Sequence, residues 1–281
     1  MQPYDQILVT AEARVTTIAL NRPERLNAWT RRMADELRHA VGQAGRDPHC
    51  RCIVLTGVGR GFCAGADMGG LQGTAETGAV TGGRAALYPE TPDYAEAPGP
   101  DPRDDYPGRF GYLYSCPKPV IAAINGPCAG IGLVLALYAD LRFADAEAGF
   151  TTAFAARGLV AEHGIGWLLP RLVGEANAFD LLLSARRFSG AEAAQMGLLN
   201  KALPAPELMP HVAAVARRLA HDISPRSMAV MKRQLRKAYH QSFAEALATA
   251  DAEMQDSFAA PDFAEGVRSF VERRPPAFPD L

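Results

Sequence analysis

Buried strands alternate with helices over the first two thirds of the chain, and this alternation limits the possible folds more than any other feature. Apolar runs typical of strands cover residues 51–56, 119–125 and 140–144, and helical periodicity lies between the last two. This order predicts crossover connections and a largely parallel sheet with helices packed on it. Two further apolar runs, residues 6–10 and 14–20, predict a β-hairpin at the start. We therefore expect an α/β fold.

The second half of the chain changes character at about residue 204, where the strand signal ends. Helices are predicted to begin near His211, Ser224, Gln241 and Pro261. We expect two parts, a core over residues 1–203 and a C-terminal helical oligomerisation segment over residues 204–281. Residues 69–109 are rich in Gly, Pro, Asp and Thr, which favours a long mobile loop beside the functional site. An ordinary disordered insertion is the alternative for that segment.

The charge and hydropathy patterns argue against several classes of partner. The 281 residues carry 29 basic and 31 acidic side chains, a net charge of −2, so no overall field attracts nucleic acid or an anionic membrane. No segment reaches the roughly 18 apolar residues that a membrane span needs. The first ten residues have neither the basic nor the apolar region of a signal peptide. We expect a cytoplasmic protein that binds neither nucleic acid nor membrane.

The five cysteines do not resemble a disulfide framework, because their number is odd and they lie in or beside apolar runs. Cys50 and Cys52 lack the second Cys or His pair that a zinc site needs, so no metal is expected. Cys63 lies in a glycine-rich loop, where a nucleophile is conceivable. Its sequence neighbours supply no base, which favours a small buried residue instead.

Two glycine-rich segments, residues 57–67 and 125–133, each follow a predicted buried strand. Glycine and alanine let main-chain N–H groups approach a ligand closely. A helix is predicted to begin near Gly130, where the first amides lack partners and the helix dipole is positive. The two segments together predict a site for an anionic oxygen.

Four segments in order resemble the signatures of the crotonase (enoyl-CoA hydratase/isomerase) superfamily, and they span nearly the whole chain. They are Asn21-Arg-Pro-Glu-Arg-Leu-Asn-Ala28, Gly61-Phe-Cys-Ala-Gly-Ala-Asp67, the segment Asn125–Gly130, and Asp262-Phe-Ala-Glu-Gly266. The resemblance implies a spiral of ββα units with a C-terminal helical trimerisation segment. It also implies homotrimers or homohexamers, and an acyl-CoA substrate in which coenzyme A is part of the substrate rather than a bound cofactor.

The resemblance assigns the oxyanion hole to the backbone N–H groups of Ala66 and Ile131. A thioester enolate carries its charge on the former carbonyl oxygen, and each preorganised donor is worth about 2.7–4 kcal/mol in comparable sites. The same resemblance assigns CoA binding to a set of loop residues, of which Arg25 would contact a phosphate or would be a solvated surface arginine. The CoA-binding residues are Arg25, Leu26, Ala28, Ala64 and Asp67, with Ala66 beside them.

The sequence departs from the family pattern at the two glutamates with which the hydratases hold a water. Val134 and Phe154 stand at those positions, and neither side chain accepts a proton. Glu162 matches the aspartate that does the chemistry in the dienoyl-CoA isomerases and chlorobenzoyl-CoA dehalogenases of the superfamily. Walls formed by Val134, Phe154 and Trp167, the expected acyl pocket, would disfavour its charged form and suit it to carry protons. A surface carboxylate at a helix start is the alternative.

His163 is either the acid/base partner of Glu162, the residue that orients it, or a structural histidine. Successive residues usually face different ways, so only one of the two is expected to point into the site. A single base favours double-bond isomerisation of an enoyl-CoA. A hydratase or hydrolase that uses Glu162 with His163 remains the alternative, and a non-catalytic acyl-CoA-binding protein is the alternative from another class. RNA binding is disfavoured by the lack of a basic face.

Overall fold

The computed structural model describes residues 4–77 and 109–281, and it has the α/β class that the sequence predicts. The strands are β1 (Ile7–Glu12), β2 (Val15–Leu20), β3 (Cys52–Gly57), β4 (Val120–Ile124), β5 (Cys128–Ala129), β6 (Leu141–Asp145), β7 (Gly149–Thr151), β8 (Phe188–Ser189) and β9 (Lys201–Leu203). The helices are α1 (Arg31–Arg46), α2 (Met68–Thr77), α3 (Gly111–Ser115), α4 (Ile131–Leu137), α5 (Ile165–Ser184), α6 (Gly190–Gln195), α7 (Ala205–His221), α8 (Pro225–Lys237), α9 (Phe243–Ala259) and α10 (Pro261–Glu272).

Within the described residues, the main sheet has six strands in the order β1-β2-β3-β4-β6-β9. The predicted hairpin is confirmed, since β1 and β2 pair antiparallel, and the other neighbours in this sheet pair parallel. A smaller sheet has the order β5-β7-β8. The carboxyl ends of β3 and β4 therefore lie side by side, and they lead directly into the two glycine-rich segments.

Helices cover both faces of the main sheet, and the central strands β3 and β4 are buried along their whole length. Side chains alternate between the faces, so Ile53 faces the larger core with α1 while Val54 packs against Leu208 and Val212 of α7. Helix α7 is thus a layer of the core, although the sequence assigns it to the C-terminal segment. The boundary expected at residue 204 does not separate two packing units.

Helix α7 also begins earlier than predicted, at Ala205 rather than near His211. Pro206 and Pro210 interrupt the apolar pattern. Pro206 lies in the first turn of the helix, where proline is tolerated, whereas Pro210 lies inside the helix. The buried residues Leu208 and Val212, four positions apart, hold this helix on the sheet. Tertiary packing therefore outweighs the local proline signal.

The beginning of the predicted loop 69–109 is helical, because α2 covers Met68–Thr77. The Asp67 carboxylate accepts a hydrogen bond from the Gly69 amide at 3.0 Å and so caps the start of this helix. The loop prediction is wrong for those residues, and the rest of it, residues 78–108, lies outside the described part.

The C-terminal helices expose large apolar side chains. Phe243 at the start of α9 is 84% exposed, and Phe270 on α10 is 85% exposed. A monomer rarely leaves so many large apolar groups in water. None of the helices in the described ranges combines the length and the apolar character needed to cross a bilayer.

Candidate active site

The two glycine-rich segments lie next to each other in parallel register. The Cys63 amide donates to the Pro127 carbonyl, and the Cys63 carbonyl accepts from the Ala129 amide, both at 3.0 Å. Cys63 is therefore paired with Cys128, the residue between those two partners. Ala66 and Ile131, the two predicted oxyanion donors, each lie three residues beyond this pair on their own segments.

The Ala66 amide is turned away from its neighbouring strand and is free to bind a ligand. Trp29 donates to the Gly65 carbonyl at 2.8 Å, and its own carbonyl accepts from the Asp67 amide at 3.0 Å. Because Trp29 bonds to both neighbours of Ala66, the N–H of Ala66 points to the opposite side. No group in residues 4–77 or 109–281 accepts a hydrogen bond from it.

The Ile131 amide is the first N–H of α4 and has no partner within that helix. Gly130 precedes it with φ +50°, a left-handed conformation that turns the chain from the strand into the helix. Ile131 is buried, with 6% of its surface exposed. The Ile131 and Ala66 amides therefore both lack a hydrogen-bond partner in the described residues, and that of Ile131 lies at the positive end of a helix.

Glycine is required where the two segments touch. A Cβ atom placed on Gly132 would lie 2.3 Å from the Cys63 carbonyl oxygen, and one on Gly126 would lie 2.1 Å from the Arg60 carbonyl oxygen. Real Cβ contacts are not this short, so any side chain at either position would push the segments apart. The spacing of the oxyanion pair thus depends on these glycines.

Val134 and Phe154, which the sequence resemblance places at the positions of the hydratase glutamates, are both buried apolar residues. Val134, on α4, has no exposed surface, and Phe154 is 5% exposed. Neither can hydrogen-bond a water molecule. These two residues therefore provide no acid or base.

Glu162 and His163 form the titratable pair that the sequence predicts, and their side chains meet. The His163 Nε2 atom lies 3.5 Å from the Glu162 Oε2 atom. His163 has φ +51°, a left-handed conformation that turns its side chain toward the preceding one. The expectation that neighbouring side chains diverge is wrong here, because it assumes an extended or helical backbone.

The environment of the pair favours a neutral imidazole and a carboxylate that reaches water. Burial lowers the pKa of His163, the charge of Arg109 lowers it further, and Glu162 opposes both effects. The Glu162 side chain is 37% exposed and the His163 side chain 23% exposed. Glu162 is therefore less enclosed than the sequence suggests.

Phe110 connects the acid/base pair to the oxyanion segment. Its ring packs edge-on against Trp29, with centroids 5.4 Å apart, and against His163, with centroids 5.9 Å apart. Trp29 in turn is the backbone neighbour of Ala66. Sequence analysis does not identify Phe110, because it directly follows a long stretch of glycine and proline that shows no periodicity.

Trp167, on α5, packs against other aromatic side chains. Its aromatic neighbours among the described residues are Tyr114, Tyr239 and His240, and the Arg171 guanidinium lies 3.9 Å from its ring centroid. In α5 the buried positions are Ile165, Leu168 and Leu169, so helical periodicity places Trp167 on the flank of the helix. This packing gives no support to the expected acyl-pocket role of Trp167.

The residues assigned to CoA binding surround a turn that is tied to the oxyanion loop. Leu26 takes a left-handed conformation with φ +49°, and its carbonyl accepts from the Ala64 amide at 3.0 Å. The Asn27 side chain is fully buried and donates to the Gly61 carbonyl at 2.7 Å. Arg25 is exposed at the edge of this turn, where a phosphate can reach it.

An ion pair between Arg22 and Asp67, which the sequence does not reveal, also ties this turn to the oxyanion loop. Arg22 donates to the Asp67 carboxylate at 2.9 Å and to the Ala28 carbonyl at 2.8 Å. Asp67 therefore has a structural role in addition to the CoA contact expected for it. Proximity of Arg22 to Asp67, 45 residues apart, is set by the fold and leaves no local sequence signal.

Nothing in the described part of the chain resembles a metal centre, since no three His, Cys, Asp or Glu side chains cluster there. Burial raises the pKa of the Cys63 thiol to about 12, which leaves it protonated and unreactive. Cys63 is buried against Gly132 in the contact between the two glycine-rich segments. This position agrees with the structural role predicted for it.

The chain is an α/β protein in which two glycine-rich segments pair in parallel, and a Glu–His pair lies on a separate turn. The family model described as "Enoyl-CoA hydratase/isomerase" matches residues 10–89 and 100–280. The chain belongs to this family, as the four sequence segments predict. The outcome also confirms the crotonase-type fold.

Named relatives match over nearly their full length. A Rhodobacter capsulatus protein named "Probable enoyl-CoA hydratase" is 37% identical over 279 residues, which cover 98% of each chain. The "1,2-epoxyphenylacetyl-CoA isomerase" of Escherichia coli is 33% identical, with 97% of each chain covered. A solved enoyl-CoA hydratase from Bacillus anthracis superposes with a TM-score of 0.82 at 26% identity, covering 98% of this chain and 99% of the other.

Proposed function

We propose that this protein isomerises the double bond of an enoyl-CoA through a thioester enolate, with Glu162 as the acid/base group. The observation that carries the proposal is the two amides at Ala66 and Ile131, which have no partner in the described residues and lie on two segments that pair at Cys63 and Cys128. Donors fixed in this way stabilise the charge that develops on a thioester oxygen. They match an enolate better than the neutral carbonyl, so they lower the barrier for proton removal.

The proposed reaction needs one base and no water. Glu162 removes a proton from the carbon next to the thioester carbonyl of a 3-enoyl-CoA. The C–H electron pair forms a double bond to the carbonyl carbon, and the C=O π pair moves onto the oxygen. The same carboxylic acid returns the proton to the far carbon of the former double bond, which leaves the double bond conjugated with the thioester. The apolar residues Val134 and Phe154 favour this course because they offer no site for a second catalytic carboxylate.

A hydratase or acyl-CoA hydrolase is the second candidate. The 3.5 Å separation of Glu162 and His163 favours it, because two adjacent polar groups can orient one water molecule. The name of the Rhodobacter capsulatus relative supports hydration, and the name of the Escherichia coli relative supports isomerisation. That second name also recommends an aromatic acyl-CoA among the substrates to be tested.

The experiment incubates 2-enoyl-CoA and 3-enoyl-CoA with the protein in D2O and follows the ultraviolet absorbance of the conjugated thioester. We expect the 3-enoyl substrate to gain conjugation and deuterium. The variant Glu162→Gln should lose about 10²–10⁴-fold in rate, the usual contribution of a positioned acid/base group. Glu175→Gln, which changes an exposed carboxylate on α5, is the matched control and should keep full activity.

The other outcomes point to the other candidates. Addition of water to the 2-enoyl substrate would indicate a hydratase, and release of free CoA a hydrolase. Thermal stabilisation by acyl-CoA without turnover of either substrate would indicate a non-catalytic binding protein. Full activity in Glu162→Gln would remove Glu162 from the mechanism.

We also propose that the chain assembles as a homotrimer or homohexamer through its C-terminal helices. The exposed apolar side chains of α9 and α10, including Phe243 and Phe270, support a buried interface there. Light scattering gives the number of subunits directly, and a monomer at micromolar concentration would contradict the proposal.

A further inference from the structure

Helix α4 contacts the proposed site at both of its ends. Its first residue is Ile131, which provides one oxyanion donor, and Tyr138 caps its C-terminal end. Tyr138 follows Ile131 by seven positions, which corresponds to a rise of about 10 Å along the helix axis. Groups attached to the two ends of one short helix are held at a nearly fixed separation.

The Tyr138 hydroxyl contacts the backbone of the turn that carries Glu162 and His163. It donates a hydrogen bond of 2.9 Å to the His163 carbonyl oxygen. The turn is closed by the Ile165 amide, which donates to the Glu162 carbonyl at 3.1 Å. A Cβ atom placed on Gly164 would lie 3.1 Å from the same hydroxyl, so the tyrosine packs closely against the turn.

This turn has an unfavourable conformation that needs support. The two central residues, His163 and Gly164, have φ values of +51° and +78°. A left-handed conformation is natural for glycine but costs about 1–2 kcal/mol at a residue with a side chain. Strained conformations of this kind persist only where neighbouring groups hold them. The hydrogen bond from Tyr138 acts directly on the strained residue.

The tyrosine ring is itself held in place. Its centroid lies 5.6 Å from that of Phe110 and 5.8 Å from that of Tyr114. The Arg236 guanidinium lies over the Tyr114 ring at 3.5 Å and is paired with Asp140 at 2.8 Å. Burial raises the pKa of Tyr138, so its hydroxyl keeps its proton and acts as a donor.

We propose that Tyr138 is a positioning residue, which fixes the Glu162–His163 turn relative to the oxyanion donors Ala66 and Ile131. This inference rests on the proposed function, because it assigns Tyr138 an effect on proton transfer through Glu162. It predicts that the hydroxyl affects the chemical step and leaves acyl-CoA binding unchanged. The residues assigned to CoA binding lie on other segments, so the loss of this hydroxyl does not reach them.

The test compares Tyr138→Phe with Tyr112→Phe in the isomerase assay in D2O. Tyr112 is a matched control, because its hydroxyl is also buried and has no hydrogen-bond partner in the described part of the chain. We expect Tyr138→Phe to lower kcat by about 10-fold to 100-fold, the effect of a small misplacement of a catalytic group. KM should stay the same, and Tyr112→Phe should match the unmodified protein.

A double-variant cycle separates positioning from a general structural effect. In the Glu162→Gln background, mass spectrometry measures the residual exchange of substrate hydrogen for deuterium. This exchange should not fall further when Tyr138→Phe is added, because the hydroxyl acts through Glu162. Gly164→Ala is a second variant that displaces the turn, because its Cβ would meet the Tyr138 hydroxyl at 3.1 Å, and it should lower kcat alone in the same way. Thermal unfolding of each variant shows whether it is folded.

The outcomes distinguish a failure of the positioning role of Tyr138 from a failure of the proposed function. Unchanged kcat in folded Tyr138→Phe would overturn the positioning role while leaving the proposed function intact. An equal loss from Tyr138→Phe in both backgrounds, or a parallel rise in KM, would also overturn it. Full activity of Glu162→Gln would instead refute the proposed function on which the inference rests.

Discussion

Replacing Gly132 by alanine tests whether the close contact of the two glycine-rich segments sets the oxyanion pair. The added Cβ would lie 2.3 Å from the Cys63 carbonyl oxygen and 2.9 Å from its sulfur. Ordinary contact begins at 3.4 Å, so the segments must separate by about 1 Å. The obstructing atom is backbone, which cannot rotate away as the end of a long side chain can.

The expected loss of activity follows from this displacement. An oxyanion donor acts at about 2.7–3.1 Å, and a shift of about 1 Å removes one donor from that range. The loss of one donor costs about 2.7–4 kcal/mol, or about 10²–10³-fold in kcat. Helix propensity alone would predict that Gly132→Ala raises stability, because alanine is favoured over glycine inside a helix by about 0.5–1 kcal/mol.

The assay measures kcat and KM for the isomerisation and the thermal unfolding midpoint of Gly132→Ala. Gly149→Ala is the control, since a Cβ atom at Gly149 meets nothing within 4 Å. We expect a large fall in kcat for the first variant and normal behaviour for the second. A folded Gly132→Ala protein with undiminished kcat would refute the argument that segment spacing determines oxyanion stabilisation.

Two further predictions concern the loop connection and pH. In urea titrations, Arg22→Met and Asp67→Asn should each lower the free energy of unfolding by about 1 kcal/mol. The double variant should lower it by no more than either single change, because both changes break the same ion pair. Additive losses would contradict the ion pair. His163 binds a proton less well in the folded state, so stability should decrease as the pH falls below about 6.5, and His163→Gln should reduce this decrease. Parallel pH–stability curves for the two proteins would contradict the lowered pKa.

Local patterns in the sequence were sufficient where backbone and side-chain preferences act within a few residues. Thr30, a residue type that favours helix N-caps, caps α1 with its hydroxyl accepting from the Met33 amide at 3.1 Å. The hairpin turn at Ala13 and Arg14 and the buried strands β3 and β4 also follow from short-range signals. The early start of α7 could not be predicted, because it is stabilised by contacts with strands far away in sequence.

The same distinction between local signals and long-range contacts applies to the candidate site. The oxyanion segments were recognisable because close backbone packing requires glycine at fixed positions, as at Gly126 and Gly132. The positions of Phe110 and Trp167 were not predictable, since they depend on which helix packs against which. The contact of Tyr138 with the Glu162–His163 turn has no sequence signal either, because it joins residues 25 positions apart.

This division explains why the sequence predicts the family more readily than the reaction. An oxyanion hole built from main-chain amides tolerates changes of side chain, and Ile131 can contribute its N–H although its side chain is bulky. Acid/base chemistry depends on side chains, and its groups here lie on a separate turn. A change of residues on that turn, or of its support by Tyr138, can alter the fate of the enolate without disturbing its stabilisation. We therefore expect substitutions around Glu162 to change which product forms, and substitutions around Gly132 to change how fast any product forms.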